Sequence, residues 1–449
     1  MQVTETSSEG LKRKLKITVG AAELAERFAT RLNEVKDEVQ LKGFRKGKVP
    51  VAHLKKLFGR DLMREVLQQT IEETSRKVIA DRKERTALDP DIEFGKDQEH
   101  LDRLIAGTTD FTYDISFEAL PEIVLADFST LKLERLTADI DVAAVDQALD
   151  RLAQQNTHYH AEADRMAQKA DRLTIDFNGT VDGEAFTGGT GQDVQLVLGQ
   201  GHFLPSFEAG LEGGKAGERR TFNVQFPADY GVKTLVGKTA VFDAAIKEVA
   251  HSHKPALDDE FAKTFGLQTM ANLRETMTAR LASEYAAMSR QKLKRALFDQ
   301  IDESYRFDLP TSLLQREFDH IWQSLTEDMK RTGRTFADLS KTEDELRAQY
   351  RRIAERRVRV GLTVNEIGQK NDIQVSQDEI KRALIARVQQ YAGQEKAVYD
   401  YYERTPSALA EIRAPIFEEK VVDLILENVK PPVRKVSRED LFATDPDEL

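Results

Sequence analysis

Hydrophobic residues in this chain change their spacing along its length. Between Asp171 and Val249 apolar and polar residues alternate (Leu173, Ile175, Phe177; Phe222, Val224, Phe226), glycine is dense and helical periodicity is scarce, while on both sides long stretches have apolar residues every three or four positions. Period 2 belongs to a half-buried strand and a period near 3.6 to an amphipathic helix, and neither pattern fits the other geometry. A small, mainly β domain set between helix-rich segments is therefore predicted. The length of 449 residues agrees, since at roughly 150 residues per domain it calls for about three.

Within the flanks the same reasoning places individual elements. Leu15, Ile17 and Val19 predict a strand, and Phe111, Tyr113, Ile115 and Phe117 another. Leu24, Phe28, Leu32, Val35 and Val39 predict one amphipathic helix, and Leu62 to Val78 a second. Residues 1–120 thus read as an α+β domain. Residues 121–160 read as a connecting arm, with a short strand at Leu131 and Leu133 and a helix start at Asp139–Asp141. Residues 161–250 form the β domain and 251–449 a helical domain.

In that last region Leu273 to Ile301 outlast an average helix, so one long helix or two is expected. Pro310 has the place of a first-turn proline, and Ser376 with Glu379 forms a capping box. The acidic end, Arg438–Leu449, is expected to fray. The fold class is multidomain α+β.

Charged residues are 32% of the chain, and 66 Lys and Arg against 77 Asp and Glu give a net charge of −11. Such a balance excludes a protein that coats nucleic acid over its whole surface, while leaving room for a local basic patch. The absence of cysteine excludes disulfides, thiolate metal sites and a thiol nucleophile. The first 20 residues lack the apolar core of a signal peptide, and no window has the ~18 consecutive apolar residues of a membrane span, so a cytoplasmic protein with no membrane partner is expected.

One segment departs from the acidic average. From Lys42 to Arg60 stand seven basic residues (Lys42, Arg45, Lys46, Lys48, Lys55, Lys56, Arg60) and no acid. Gly43 and Gly47 let the backbone turn tightly, Pro50 fixes its exit, and Phe44 stands beside Arg45 and Lys46. An exposed aromatic flanked by cations suits a target with phosphates and a stacking surface, as in RNA or a ribonucleoprotein.

Gly43-Phe-Arg-Lys-Gly-Lys-Val-Pro50 resembles the GFRxGKxP ribosome-docking signature of the trigger-factor family of bacterial chaperones. The resemblance extends through Phe117-Glu-Ala-Leu-Pro-Glu-Ile-Val-Leu125, the β domain and Phe307-Asp-Leu-Pro310. It implies that Gly43, Phe44, Arg45, Lys46, Gly47, Lys48 and Pro50 bind the large ribosomal subunit beside the exit tunnel, through ribosomal protein and rRNA. It further implies an ATP-independent chaperone for nascent and unfolded polypeptides, whose helical domain forms a body with two arms. Whether the free protein pairs as a homodimer stays open.

The β domain resembles FK506-binding peptidyl-prolyl isomerases, through Leu173-Thr-Ile-Asp-Phe-Asn-Gly179, Val197-Leu-Gly199, Phe207-Glu-Ala-Gly210, Phe226-Pro227, Tyr230-Gly231 and Val241-Phe242. Rotating an X–Pro amide must overcome C–N resonance, a barrier of about 18–20 kcal/mol for a peptide bond. An apolar, water-poor pocket weakens the charge-separated planar form relative to the twisted one, and it needs neither nucleophile nor cofactor. By motif position Phe177, Phe186, Val194, Phe203, Leu204, Phe207, Tyr230 and Phe242 line that pocket, with Phe207 as floor. Thr187 stands where the small isomerases carry an Asp, and Ser206 where a Gly precedes the floor aromatic. Both departures imply modest catalysis and leave a non-enzymatic holdase as the alternative.

Other motifs carry less. Gly237-Lys-Thr239 lacks the upstream glycine spacing of a phosphate-binding loop. His158-Tyr-His160 and His251-Ser-His253 have no third ligand at fixed spacing, so surface histidines and no metal are expected.

Overall fold

Leu15, Ile17 and Val19 have no solvent exposure, and neither do Phe111 and Ile115 on the strand beside them. These residues belong to a computed structural model that describes the chain except residues 42, 43, 46, 96, 97, 163, 228, 229, 231, 233, 337, 339, 340 and 445–449. The chain divides into two units, Met1–Arg135 with Lys292–Pro432, and Leu136–Gln291 with Val433–Leu449.

The first unit opens with β1 (Gln2–Glu9), β2 (Lys12–Val19), α1 (Ala21–Glu38), α2 (Val51–Arg82), β3 (Asp91–Phe94), α3 (Gln98–Ala106) and β4 (Phe111–Glu118). The strands form an antiparallel sheet in the order β1-β2-β4-β3. Its inner face packs on Leu24, Phe28 and Leu32 of α1 and Leu54, Met63 and Val66 of α2 in one apolar core. Tyr113 sets the register of sheet and helix, because its buried hydroxyl bonds Thr74 (2.6 Å) and Ser75 (3.0 Å). Strand β1, almost wholly exposed, gives no alternation to read.

The stretch after β4 lies against the helices of the same unit. Ile123 and Leu133 are buried among Leu293, Leu297, Ile301, Val364 and Val421. The strand expected at Leu131 and Leu133 is absent. The Lys132 N–H donates to Gln300 Oε1 (2.8 Å) and Gln300 Nε2 donates back to Lys132 O (2.6 Å), so a side chain replaces the partner strand. The regular pairing begins at β5 (Arg135–Thr137).

In the second unit α4 (Val142–Gln155) is capped by Asp141, whose carboxylate accepts the Ala144 N–H (2.7 Å), as the acids before it predicted. Next come β6 (His158–Ala161), β7 (Arg172–Val181), β8 (Glu184–Val197), α5 (Pro205–Leu211), β9 (Arg219–Gln225) and β10 (Thr239–His253). The fifteen-residue β10 pairs with β7 along one edge and with β9 and then β6 along the other. A bulge at Lys247 shifts its phase, so that Ala240, Phe242, Ala244 and Ile246 face inward before it and Val249 after it.

The entry to β7 is fastened by Asp171, almost without exposure. Its carboxylate accepts from Arg165 Nε (2.8 Å) and Nη2 (3.2 Å), from the Gln168 N–H (3.0 Å) and from His251 Nδ1 (3.3 Å). Burial pushes this carboxyl up, but those donors, Arg165 first, outweigh it and hold it below the ordinary aspartate range.

Helices follow: α6 (Asp259–Thr264), α7 (Met270–Ser304), α8 (Thr311–Thr332), α9 (Glu343–Lys370), α10 (Gln377–Val388), α11 (Glu395–Arg404) and α12 (Pro406–Val429), then β11 (Val433–Lys435), paired with β5, and α13 (Arg438–Phe442). The long periodic stretch is one 35-residue helix, α7. Pro310 is the residue before α8 rather than its first turn. The capping box at Ser376 and Glu379 is formed. Arg438–Phe442 does not fray: Leu441 is fully buried among Leu273, Met277 and Tyr285, and Phe442 lies 5.2 Å from the Tyr285 ring.

No side chain of Pro310 can cap α8, and Glu118 at the end of β4 supplies the missing cap. It accepts from the Ser312 N–H (2.7 Å) and Ser312 Oγ (2.6 Å), and also from Thr311 Oγ1. Nearby, Arg85 donates to Glu366 of α9 (2.6 Å). Two sequence segments 194 positions apart thus form one polar joint.

Candidate functional site

Helix α5 begins at Pro205, whose ring presets the helical φ, and its i, i+4 pair Phe207 and Leu211 is buried on the inner face of the β sheet. Phe207, 3% exposed, lies within 5.0 Å of Phe242, 5.1 Å of Phe203, and 5.4 Å of Phe177 and of Phe222, measured between ring centres. The Phe203 ring is stacked on it, and the other three meet it edge to face, the arrangements that the ring quadrupole favours.

Above this floor opens a cavity of about 420 Å³ lined by Phe177, Phe186, Phe203, Leu204, Phe207, Val224, Phe226, Tyr230 and Phe242, with Gly188, Gly201, His202 and Pro205 at its edges. Of the eight residues expected from the sequence, seven line it. The eighth, Val194, sits opposite Ile175 on the β8 ladder and packs on the domain core beside Gly191, outside the lining set.

Val224 and Phe226 were missed. Both lie at inward positions of β9 and just after it, and the alternation Phe222, Val224, Phe226 carries their signal. Phe226 supports Tyr230 (4.7 Å) and Phe186 (5.9 Å). Thr187 is exposed, next to Phe186, and Ser206 is half-buried in the first turn of α5. The neighbouring Glu208 ties the turn after β8 to α5 by accepting the Gly199 N–H (2.8 Å). Among the described residues that line it the cavity has no carboxylate, Lys or Arg, so they offer an apolar surface with a phenol and an imidazole at its margin.

The basic segment between α1 and α2 has a defined frame. Val49 is buried and anchors it, the Lys48 N–H donates to Arg45 O (2.9 Å), and Gly47 takes φ +77°, a conformation open to glycine. Phe44 is 37% exposed, its ring 5.4 Å from that of His53, and Arg45 and Lys48 are exposed without a carboxylate partner among the described residues. Pro50 immediately precedes α2. Gly43 and Lys46, also expected in this site, lie outside the described residues. Arg60 does not join the patch, because Asp102 of α3 neutralises it through a paired contact (2.7 and 2.9 Å).

Large apolar side chains stand exposed in the first unit: Ile385 (43%) on α10, Tyr391 (40%) in the turn after it and Tyr401 (59%) on α11. No helix among the described residues is long and apolar enough to cross a membrane.

Comparisons with known proteins agree along the whole chain. Three family profiles match: "Bacterial trigger factor protein (TF)" over residues 1–152, "FKBP-type peptidyl-prolyl cis-trans isomerase" over 163–247, and "Bacterial trigger factor protein (TF) C-terminus" over 269–427. A trigger factor of Afipia carboxidovorans is 47% identical over 448 residues, covering 100% of this chain and 99% of that one. One of Xanthobacter autotrophicus is 45% identical with the same coverage.

A solved structure described as "Promiscuous Substrate Recognition in Folding and Assembly Activities of the Trigger Factor Chaperone" shares the fold, with a TM-score of 0.50 and 18% identity over 96% of this chain and 100% of that one. The isomerase profile decides the alternative left open by Thr187 and Ser206 in favour of an enzyme. The chain belongs to the bacterial trigger factor family, as a chaperone that carries an FKBP-type peptidyl-prolyl cis–trans isomerase.

Proposed function

We propose that X–Pro bonds are isomerised in the cavity above Phe207, that the Phe44 tip docks on the large ribosomal subunit beside the exit tunnel, and that the helical region shields emerging chains. Membership of the family implies binding to ribosomes and to unfolded polypeptides. The domains are drawn as 1–120 for ribosome binding, 121–160 as connecting arm, 161–250 for isomerisation and 251–449 for chaperoning.

The observation that carries the isomerase assignment is the composition of the cavity: aromatic and aliphatic walls around Phe207, with no formally charged side chain among the described lining residues. A proline ring seated on Phe207 loses water around its amide. The planar amide is the more polar form, so a surrounding of low polarity raises it relative to the twisted one and lowers the barrier. Phe177, Phe186, Phe203, Leu204 and Phe242 supply that surrounding, and the Tyr230 hydroxyl, at the margin, is the donor available to a peptide carbonyl. Val194 belongs to the packing of the domain core beside the cavity.

For docking, the support is an exposed aromatic, Phe44, beside Arg45 and Lys48, which have no carboxylate partner among the described residues, a surface matched to phosphate and base or to an acidic protein loop. Contact with rRNA or with a ribosomal protein, and pairing of free molecules as a homodimer, belong to the same proposal's family background. For client binding, Ile385, Tyr391 and Tyr401 offer scattered apolar contacts of the kind a promiscuous surface needs.

A protease-coupled assay on a short X–Pro peptide tests the active site. Phe207→Ala is expected to reduce kcat/KM at least tenfold while ribosome co-sedimentation is retained. Unchanged turnover would remove the catalytic assignment, and parallel loss of both would report misfolding.

A further inference from the structure

Four of the chain's eight histidines meet on one small surface. His158 and His160 lie two apart on β6, and His251 and His253 two apart on β10. The strands pair antiparallel with His160 opposite His251 and His158 opposite His253. Residues directly opposite each other, and residues two apart, share a face of a sheet, so all four imidazoles rise from the same side of this two-strand ladder. The intervening Tyr159 faces the other way, where the Arg172 guanidinium covers its ring at 4.9 Å.

The geometry within the patch is close. The His160 and His253 rings, diagonal neighbours across the ladder, have centres 6.4 Å apart. His251 is oriented by the carboxylate of Asp171: its Nδ1 donates to Oδ1 (3.3 Å), which leaves Nε2 with the free lone pair. A carboxylate holding the far nitrogen of an imidazole is the usual outer-shell arrangement behind a metal-ligating histidine. His158, His160 and His253 are exposed and the His251 side chain is 45% exposed, so an ion has open access and the side chains have room to turn.

We infer that this patch binds one divalent late-transition ion, of the Zn²⁺, Ni²⁺ or Cu²⁺ class, through imidazole nitrogens from both strands. The donor set selects that class: neutral imidazole suits these ions, whereas Mg²⁺ and Ca²⁺ call for oxygen ligands. As the side chains stand, the described residues provide the His160–His253 approach and no convergent group of three donors. His160 and His253 are therefore the core pair, and rotation of the exposed His158 supplies the third nitrogen while Asp171 holds His251 beside them. Water completes the coordination. Such an ion would tie the edge strand β6 to β10.

Calorimetric titration of the untagged full chain with ZnCl₂ at pH 7.5 tests the site. One equivalent of saturable binding is expected, weakened at least tenfold in His160→Gln/His253→Gln and unchanged in His320→Gln, an exposed histidine of α8. Cu²⁺ added at one equivalent should show nitrogen couplings in its electron paramagnetic resonance spectrum that the double variant loses. Absence of saturation, or full binding by the double variant with its circular dichroism intact, would overturn the inference.

Discussion

The Phe242 ring lies across Gly179, so that a Cβ placed on Gly179 would come within 2.4 Å of Phe242 Cε1. The two residues are register partners on β10 and β7, and the missing side chain on one strand is the space that the aromatic of the other occupies. A Gly179→Ala substitution must displace the ring toward Phe207. A loss of about 1–3 kcal/mol in the stability of the β domain is expected, the usual result of overpacking. Turnover of X–Pro peptides should fall with it, since Phe242 lines the cavity. Thermal unfolding and the coupled assay on the same sample check both.

The triple variant Phe44→Ala/Arg45→Ala/Lys46→Ala should abolish or strongly weaken ribosome co-sedimentation. Removing two cations from a phosphate contact also lowers the slope of log affinity against log salt by about 2. Binding with an unchanged slope would show that the basic turn does not touch the ribosome. Prolyl isomerase activity, housed in another domain, should stay at the wild-type level.

Exposed aromatic groups on α11 and in the turn before it should matter to clients and to nothing else. Tyr391→Ser/Tyr401→Ser is expected to leave the melting temperature within about a degree or two, because both rings are largely outside the core and surface substitutions change stability by less than ~0.5 kcal/mol. Suppression of aggregation of a chemically unfolded client should nonetheless decline. Equal suppression by variant and parent would move client binding to another surface.

The joint between the N-terminal sheet and the helices should respond to acid. For Glu118, burial pushes the carboxyl up while the Ser312 and Thr311 hydroxyls and the Ser312 N–H outweigh it, so it sits below the ordinary 4.5. Glu366 is likewise lowered, burial being outweighed by Arg85 and then Lys370. A depressed carboxyl contributes stability that is present above its unfolded value and is lost as pH falls through its folded one. Hydrogen exchange at the start of α8 should therefore accelerate below about pH 4.5. Glu118→Ala should produce that acceleration at neutral pH, with a loss of about 1 kcal/mol as for other helix caps.

Periodicity alone located β2, β4, β7, α1 and α2, because each buries one face against a single core. It failed where burial is supplied from afar. Leu131 and Leu133 alternate like a strand, yet their backbone is satisfied by Gln300, a residue no local window can see. Leu441 sits in an acidic tail and is buried only because α7 passes beneath it. The aromatic cavity was legible as a set of residue types, whereas Val194 stays outside the lining and Val224 and Phe226 enter it, because strand register decides which residues reach it. The two H-x-H pairs read as separate surface features for the same reason: strand pairing joins positions about 90 apart.

Glu118 and Ser312 are 194 positions apart, and the whole β domain is encoded between them. During synthesis at roughly 5–20 residues per second, Glu118 emerges about 10–40 s before the helix it caps exists. Until then the N-terminal sheet carries an acid with no N–H to receive. A chain of a family that attends the folding of others thus has its own long wait between translating one half of a joint and the other, and its N-terminal sheet can lock onto α8 only after the β domain has already been made.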